Sequence, residues 1–530
     1  MRAIRLRGRP TSDMISLKNL LRRFIAGMEP WVFLPAAGIV ILFAGLAATY
    51  TERARAIFDI LQAGIVETFG WFYILVATLL LIFVTWLMFS RFGKIRLGSP
   101  GSRPEFDYPS WVAMLLSAGM GIGIVFFGAA EPLQHYLEPP GAEPESAEAM
   151  REAMRITFFH WGPHPWAIYS AFALPIAYYH FRHGLPLAPR SLLYPVFGEG
   201  IYGPVGHFVD VLATVGTLFG VATSLGLGAQ QVNAGLNQLF GLPTGTGPQL
   251  VLIAGITFAA IVSVVSGLHR GIRFLSVSNV ALAGILLIFV MLAGPTIFVA
   301  ELFLDGLGYF IQQLPYSSLH IQPGAEEGWQ ARWTLFYWSW WISWSPFVGI
   351  FVARISRGRT IREFVITTLI VPTLGTFFWF SVMGGTAIRQ VMNGRRQLAE
   401  LAGDSPEIVL LRLVDLLPLH EILWVLVTLI VIVFFVTSSD SGSFVDDMVT
   451  SGGHPNPPRA QRVFWALAEG LVAAVLLYAG GLNALRTASL TTGIPIAIFL
   501  LVAAYGLIRS LRSDERRQSL PGLESRSDPD

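Results

Sequence analysis

Long apolar runs separated by short polar stretches recur along the whole chain, and these runs set its architecture. A ~30 Å hydrocarbon layer takes about 20 helical residues to cross. Segments of that kind fall at about 31–50, 70–90, 111–136, 156–179, 206–238, 249–267, 275–300, 332–353, 364–387, 420–445, 462–479 and 487–508. The pattern predicts twelve membrane-spanning helices. Residues 301–315 are shorter and mixed, and read as an amphipathic helix lying at the interface. The expectation is an all-α polytopic membrane protein. It has a basic amino-terminal segment over 1–28, a membrane domain over 29–510 and a short polar tail over 511–530.

Two of these spans carry interruptions. Span three contains Gly119, Gly121, Gly123 and Gly128. Glycines two apart are rotated by about 200° on a helix, so they do not share one packing face. Local unwinding, which frees carbonyls towards a cavity, accounts for them better. Span eight runs into Ser345-Pro346 and then Gly349, a helix-breaking stretch. Interrupted helices at matching positions of two units point to inverted repeats with a substrate site near the bilayer midplane. The units are spans 3–7 (111–300) and spans 8–12 (332–508), with spans 1 and 2 as an extra amino-terminal pair.

Span eight also concentrates indoles: Trp333, Trp338, Trp340, Trp341 and Trp344. At about 100° per residue, Trp333, Tyr337, Trp340 and Trp344 form one stripe, with Trp338 and Trp341 beside it. An interfacial belt holds such rings at headgroup level. Counted inward from Arg332 at ~1.5 Å per residue, Trp340 to Trp344 lie roughly 12–18 Å deep, too far in for a belt. Ring faces at that depth suit a cation that cannot donate hydrogen bonds, such as a quaternary ammonium. In span four, Trp161, Trp166 and Tyr169 accompany Pro163 and Pro165. Alone they read either as a kink with interfacial indoles or as the opposite wall of a box.

Composition agrees with the pattern: 53% of residues are hydrophobic, 13% are charged and mean hydropathy is +0.58. The absence of cysteine removes disulfides and thiolate chemistry. The basic amino terminus is not followed closely by a short apolar run and cleavage site, so the first span is expected to be retained. Of the 36 Lys and Arg residues, 26 fall on the side of the termini and 10 on the other. The positive-inside rule then places both termini in the cytoplasm and the acidic 138–152 loop outside. The few intramembrane ionisable groups form no nucleophile–base or metal-ligand cluster, which argues against an enzyme. No signalling domain is appended, and no nucleic-acid partner is expected. Glu131 and Asp440 are intramembrane carboxylates, each open to a pathway-lining or a structural reading.

Three motifs resemble the betaine/choline/carnitine transporter family: Gly119-Met-Gly-Ile-Gly123 followed by Glu131-Pro132; Trp333 to Phe347 running into Ala353-Arg-Ile-Ser-Arg-Gly-Arg; and Phe434-Phe-Val-Thr-Ser-Ser-Asp-Ser441. The resemblance covers essentially the chain from span one to Ser510. It implies a LeuT-type inverted-repeat fold, transport of trimethylammonium or related compatible solutes across the cell (inner) membrane, and a homotrimer. It implies a substrate cage of Trp161, Trp166 and Tyr169 facing Trp340, Trp341 and Trp344 with Trp338 close by, and it brings Met120, Gly121 and Gly123 to the substrate's anionic end. A sodium site is implied at the carbonyls of Ser117, Met120 and Phe434 and the hydroxyls of Thr437 and Ser438. A second family sodium site maps to Thr217, Val221 and Phe347, where valine lacks the needed oxygen. Proton-coupled choline carriers of the family tend to carry aspartate at the position of Gly123. Glycine here favours a zwitterion such as glycine betaine, or dimethylsulfoniopropionate, driven by sodium as the coupling ion, with no other cofactor. Proton-coupled choline transport, sodium-independent exchange of the carnitine type and ectoine import are the alternatives. Osmosensing members carry long basic extensions, and the short tail here does not imply that activity.

Overall fold

The computed structural model describes residues 27–119, 121–265, 269–321, 328–454 and 457–518. The helices are α1 (Pro30–Thr49), α2 (Thr51–Phe89), α3 (Tyr108–Gly119), α4 (Ile122–Leu137), α5 (Ala147–Trp161), α6 (Pro163–His183), α7 (Pro204–Phe240), α8 (Thr246–Val265), α9 (His269–Ala293), α10 (Thr296–Leu319), α11 (Phe336–Ile355), α12 (Ile361–Met392), α13 (Arg396–Asp404), α14 (Pro406–Asp415), α15 (His420–Thr450), α16 (Arg459–Gly481) and α17 (Asn483–Arg516). Among the described residues no strand forms beyond an isolated bridge between Arg96 and Thr360. Nine of the described helices are long and apolar enough to cross a membrane. The protein is an all-helical polytopic membrane protein.

Burial sorts the helices. Of the most apolar window of α7, 89% is buried, against 28% in α8 and 22% in α10. α7 is therefore a core helix, packed on α11, α15, α16 and α17, while α8 and α10 present apolar side chains outward. In α8 such apolarity is what a helix bathed in lipid needs, whereas α10 also exposes Glu301 and Asp305. α16 and α17 meet end to end at Gly481, whose φ of 57° and ψ of −137° is a conformation for glycine.

Several boundaries differ from the sequence reading. α2 begins at Thr51, not near 70, because the helix continues through the charged residues at which the apolar run stops. The 301–315 segment belongs to the 24-residue α10, which buries Val299, Leu302, Gly306 and Phe310 on one stripe. α13 and α14 lie between the ninth and tenth expected spans; α13 buries Leu398 and Ala402 against α4.

The interruptions also fall differently. Span three is broken as expected: α3 ends at Gly119, and Gly121 is extended (φ −109°, ψ −160°) before α4. The break expected in span eight at Ser345-Pro346 is absent, and α11 runs through it. Pro346 has no N–H for the Ile342 carbonyl, but the Ser345 hydroxyl donates to that oxygen at 2.7 Å, so the helix loses no partner there. Span four is broken instead, at Gly162 between α5 and α6. The Trp161 carbonyl, whose helical partner would be the missing N–H of Pro165, receives the Thr376 hydroxyl at 2.9 Å.

One end of the molecule collects several helix termini. The Glu29 N–H donates to the Thr450 carbonyl at 2.8 Å, joining the starts of α1 and the end of α15. Leu97 N–H donates to the Arg359 carbonyl at 2.8 Å, and Arg91 pairs with Glu515 at 2.8 Å. The Tyr178 hydroxyl donates to Asp514 at 2.5 Å. The ends of α2, α6, α11, α15 and α17 thus share one side with the beginning of α1.

Candidate functional site

The site begins with a pile of rings on α11. Trp340 and Trp341 lie 4.7 Å apart at 14°, Tyr337 and Trp341 5.7 Å apart at 21°, and Trp340 and Trp344 6.4 Å apart at 27°. Trp333 continues the stripe onto Tyr337 at 6.2 Å. All are buried. Spacings of three or four positions bring Trp333 onto Tyr337, Tyr337 onto Trp341 and Trp340 onto Trp344, and the adjacent rings of Trp340 and Trp341 stack to join the two rows.

The break in span four supplies the facing wall. Trp161, the last residue of α5, meets Trp341 edge-on at 4.9 Å, and Tyr169 on α6 meets Trp341 at 6.4 Å and Trp344 at 6.2 Å. Trp166 packs on Tyr169 at 5.6 Å. The Trp341 indole N–H donates to the His160 carbonyl at 3.1 Å, so α11 is tied into the end of α5. Gly119, Trp161, Trp166, Tyr169, Trp341 and Thr376 line a cavity of about 10 Å³. That is room for no more than one water, so the rings must part to admit a methylated ammonium group.

The glycines of span three make room for the indoles. A Cβ on Gly119 would lie 2.3 Å from the Trp166 ring, on Gly121 2.9 Å from Trp344, and on Gly123 2.7 Å from Trp340 and 3.0 Å from Trp161. Any side chain at these positions meets a ring edge. Two donors in the box have no partner: the Trp344 indole N–H and the Tyr169 hydroxyl are buried and unsatisfied. Burying such donors unpaired costs about 1–3 kcal/mol each, and a ligand with an acceptor would satisfy them.

Trp338, expected with the other indoles, is set apart. It stacks on His164 at 5.2 Å and meets Phe159 at 5.0 Å. On the helix it lies about 160° from Trp340, so it faces away from the pile. Met120 lies outside the described residues, as does the side chain of Ser117. The Ser438 hydroxyl oxygen is 3.9 Å from where a Gly121 Cβ would be, which brings α15 to the break in span three. Thr437 donates back to the carbonyls of Val433 at 2.9 Å and Phe434 at 3.1 Å, leaving its lone pairs available as ligands. Phe347 packs on Trp344 at 5.5 Å, and Thr217 has a buried, unpartnered hydroxyl. Val221 offers only methyl groups on the same face of α7.

Glu131 joins the box in a way that sequence reasoning left open. Its carboxylate is fully buried and accepts from the Trp161 indole N–H at 2.6 Å, the Tyr337 hydroxyl at 2.5 Å and His160 Nδ1 at 2.8 Å. His160 Nε2 meets the Thr334 hydroxyl at 2.9 Å. His135 Nε2 stands 3.4 Å from the same carboxylate. Glu131, His135 and His160 place three atoms of metal-ligand type within 4.8 Å of one another, but three donors already occupy the carboxylate, and the arrangement is a hydrogen-bond hub. Glu131 was visible as an intramembrane carboxylate; its partners, spread over three helices, carried no joint signal. Trp379 was not anticipated at all: its N–H donates to the Ile124 carbonyl at 2.8 Å, beside Gly128.

The chain matches the sequence model of the BCCT, betaine/carnitine/choline family transporter, over residues 31–516. It is 47% identical over 460 residues to the glycine betaine transporter OpuD of Bacillus subtilis, covering 86% of this chain and 89% of that one. It is 42% identical over 491 residues to a glycine betaine/proline/choline/ectoine transporter of Vibrio parahaemolyticus, covering 91% and 87%. Glycine betaine transporter 1 of the same organism is 42% identical over 493 residues, covering 92% and 94%.

Proposed function

The chain belongs to the betaine/carnitine/choline transporter family, and from that membership we propose that it imports glycine betaine, or a close relative of it, in symport with sodium. It is a transporter and not an enzyme. The observation that carries the substrate is the box itself: indoles from two separate parts of the chain, with two unsatisfied donors beside them. A trimethylammonium group has no N–H, and ring faces in a dry site contribute ~0.5–2 kcal/mol each to holding it. The Trp344 N–H and the Tyr169 hydroxyl are suited to the carboxylate at the other end of a zwitterion. Gly123, abutting Trp340 and Trp161, leaves no space for an aspartate.

Sodium would lie between the break in span three and α15. Its ligands are the carbonyls of Ser117, Met120 and Phe434 and the hydroxyls of Thr437 and Ser438, an oxygen set without formal charge that lets a monovalent ion leave again. The approach of Ser438 to Gly121 supports this placement. An ion there orders the break, and Gly121 also abuts Trp344, so sodium and substrate favour the same closed arrangement. At the second position Val221 stands where a second hydroxyl is needed beside Thr217 and Phe347, and one sodium per cycle is the reading we adopt.

In this reading the twelve spans are α1, α2, α3 with α4, α5 with α6, α7, α8, α9, the helix from Ala331 to Ile355, α12, α15, α16 and α17. They form a LeuT-type inverted repeat of spans 3–7 and 8–12, with α10 along the interface, in a homotrimer of the cell membrane. The helix ends carrying Arg91, Arg96, Arg182, Arg357 and Arg359 share one side with the start of α1 and the end of α17, and the positive-inside rule makes that side cytoplasmic. The test is uptake into proteoliposomes of betaine, choline, carnitine, ectoine and dimethylsulfoniopropionate, with and without an inward sodium gradient. Betaine uptake that requires sodium is expected; betaine uptake indifferent to sodium, or choline uptake driven by a proton gradient alone, would overturn the reading.

A further inference from the structure

Glu131 sits directly behind the box. Both rings that donate to it also touch Trp341: Trp161 at 4.9 Å and Tyr337 at 5.7 Å. Its Oε2 receives the Trp161 N–H and the Tyr337 hydroxyl, and its Oε1 receives His160 Nδ1. An indole N–H can only donate, so this oxygen acts as an acceptor. His160 Nδ1 donates to the ionised carboxylate, and the Thr334 hydroxyl, which can donate or accept, is the partner of His160 Nε2. Among the described residues Glu131 forms no pair with lysine or arginine. Arg155 is held by Glu152 at 2.5 Å and by Ser317, and Arg486 lies over the Phe336 ring at 5.0 Å. Among the described residues the groups within ion-pair distance of this carboxylate are the imidazoles of His135 and His160.

We propose that Glu131 is the counter-charge of the aromatic box: its carboxylate, one ring behind the substrate, raises the affinity of the box for the cationic head group. The proposal rests on the substrate reading above. A ring binds a cation through the negative potential of its face. Donating an N–H or O–H to a carboxylate pushes electron density back into the ring and deepens that potential. In a water-excluded site the carboxylate's own field also reaches across the ring, because screening is weak. Glu131 touches no substrate in this arrangement; it acts through Trp161 and Tyr337, as a positioning and specificity-determining residue. It supplies selectivity for a positive head group without a carboxylate inside the box, where an ion pair would require desolvating both partners.

Glu131→Gln separates charge from geometry. The amide oxygen takes the place of Oε2 and keeps the Trp161 and Tyr337 bonds. The amide NH₂ takes the place of Oε1 and donates to His160 Nδ1, once the ring proton moves to Nε2 and is donated to Thr334. Every hydrogen bond survives and the charge is gone. The full-length protein in detergent is titrated with glycine betaine by tryptophan fluorescence, and betaine is displaced with 3,3-dimethylbutanoate, which carries a tert-butyl group in place of trimethylammonium. Glu131→Gln is expected to raise the betaine Kd about tenfold, equivalent to about 1.4 kcal/mol, and to leave displacement by the isostere no weaker than in wild type. Betaine affinity within twofold of wild type, or an equal loss for betaine and isostere, overturns the proposal and makes Glu131 a packing residue. If wild type does not respond to betaine, the substrate reading fails separately, and the same pair of proteins is compared with choline. A wild type that binds neither removes both.

Discussion

Replacing Gly123 with alanine tests whether the glycines of span three are there to seat the indoles. The new methyl carbon would stand 2.7 Å from Trp340 and 3.0 Å from Trp161, where ordinary contact begins at 3.4 Å. Neither ring is free to retreat: both are buried, Trp161 is held by Glu131 at 2.6 Å and Trp340 by the Gly220 carbonyl at 3.4 Å. Overpacking of this kind costs roughly 1–3 kcal/mol. Gly123 lies in the first turn of α4 and its backbone is compatible with alanine, so helix propensity offsets up to about 1 kcal/mol of the stability loss. The displaced rings are those of the box, and nothing offsets that part. A loss of 1–3 kcal/mol in binding is about a 5- to 150-fold rise in the betaine Kd. Tryptophan-fluorescence titration reads it, alongside thermal unfolding to confirm the fold. Gly38→Ala on α1, where no atom lies within 4 Å of the added carbon, is the control and should bind betaine as wild type does. A folded Gly123→Ala protein with unchanged betaine affinity would refute the reasoning.

Three further outcomes follow from the geometry. Trp341→Phe loses the N–H bond to the His160 carbonyl and exchanges the indole face for a smaller, weaker one, and should weaken betaine about tenfold, whereas Trp338→Phe, which faces His164, should stay within twofold; fluorescence titration or competition uptake distinguishes them. Ser345→Ala leaves the Ile342 carbonyl without a donor and should destabilise the protein by about 1–3 kcal/mol in thermal unfolding, an unchanged midpoint arguing that Pro346 needs no compensation. Thr437→Ala combined with Ser438→Ala should raise the sodium concentration for half-maximal uptake several-fold at saturating betaine; an unaltered sodium dependence removes these hydroxyls from the ion site.

Much of the site was legible in one dimension because its parts are local. The stack of Trp333, Tyr337, Trp340 and Trp344 follows from their spacing once a helix is assumed, and the glycines at 119, 121 and 123 announced an interruption that the backbone shows at Gly121. The interruption expected in span eight illustrates the opposite case. Proline predicts a lost hydrogen bond, but whether the helix breaks depends on whether a neighbouring group satisfies the freed carbonyl, and Ser345 does. In span four, two prolines and Gly162 were present and their effect was left undecided, because the hydroxyl that caps the freed Trp161 carbonyl comes from Thr376, 215 positions away.

By itself the sequence determined that this is a multi-pass helical membrane protein, and its motifs named a family. Apolar length and helical periodicity are properties of contiguous residues and survive any arrangement of the helices. Tertiary structure decided which indoles form a box and which, like Trp338, face elsewhere. It also decided that Trp161 is held by Glu131, and that the donors of Trp344 and Tyr169 are left unsatisfied. These depend on which helices touch and at what rotation, and that is set by packing among residues on different helices, far beyond the reach of local periodicity.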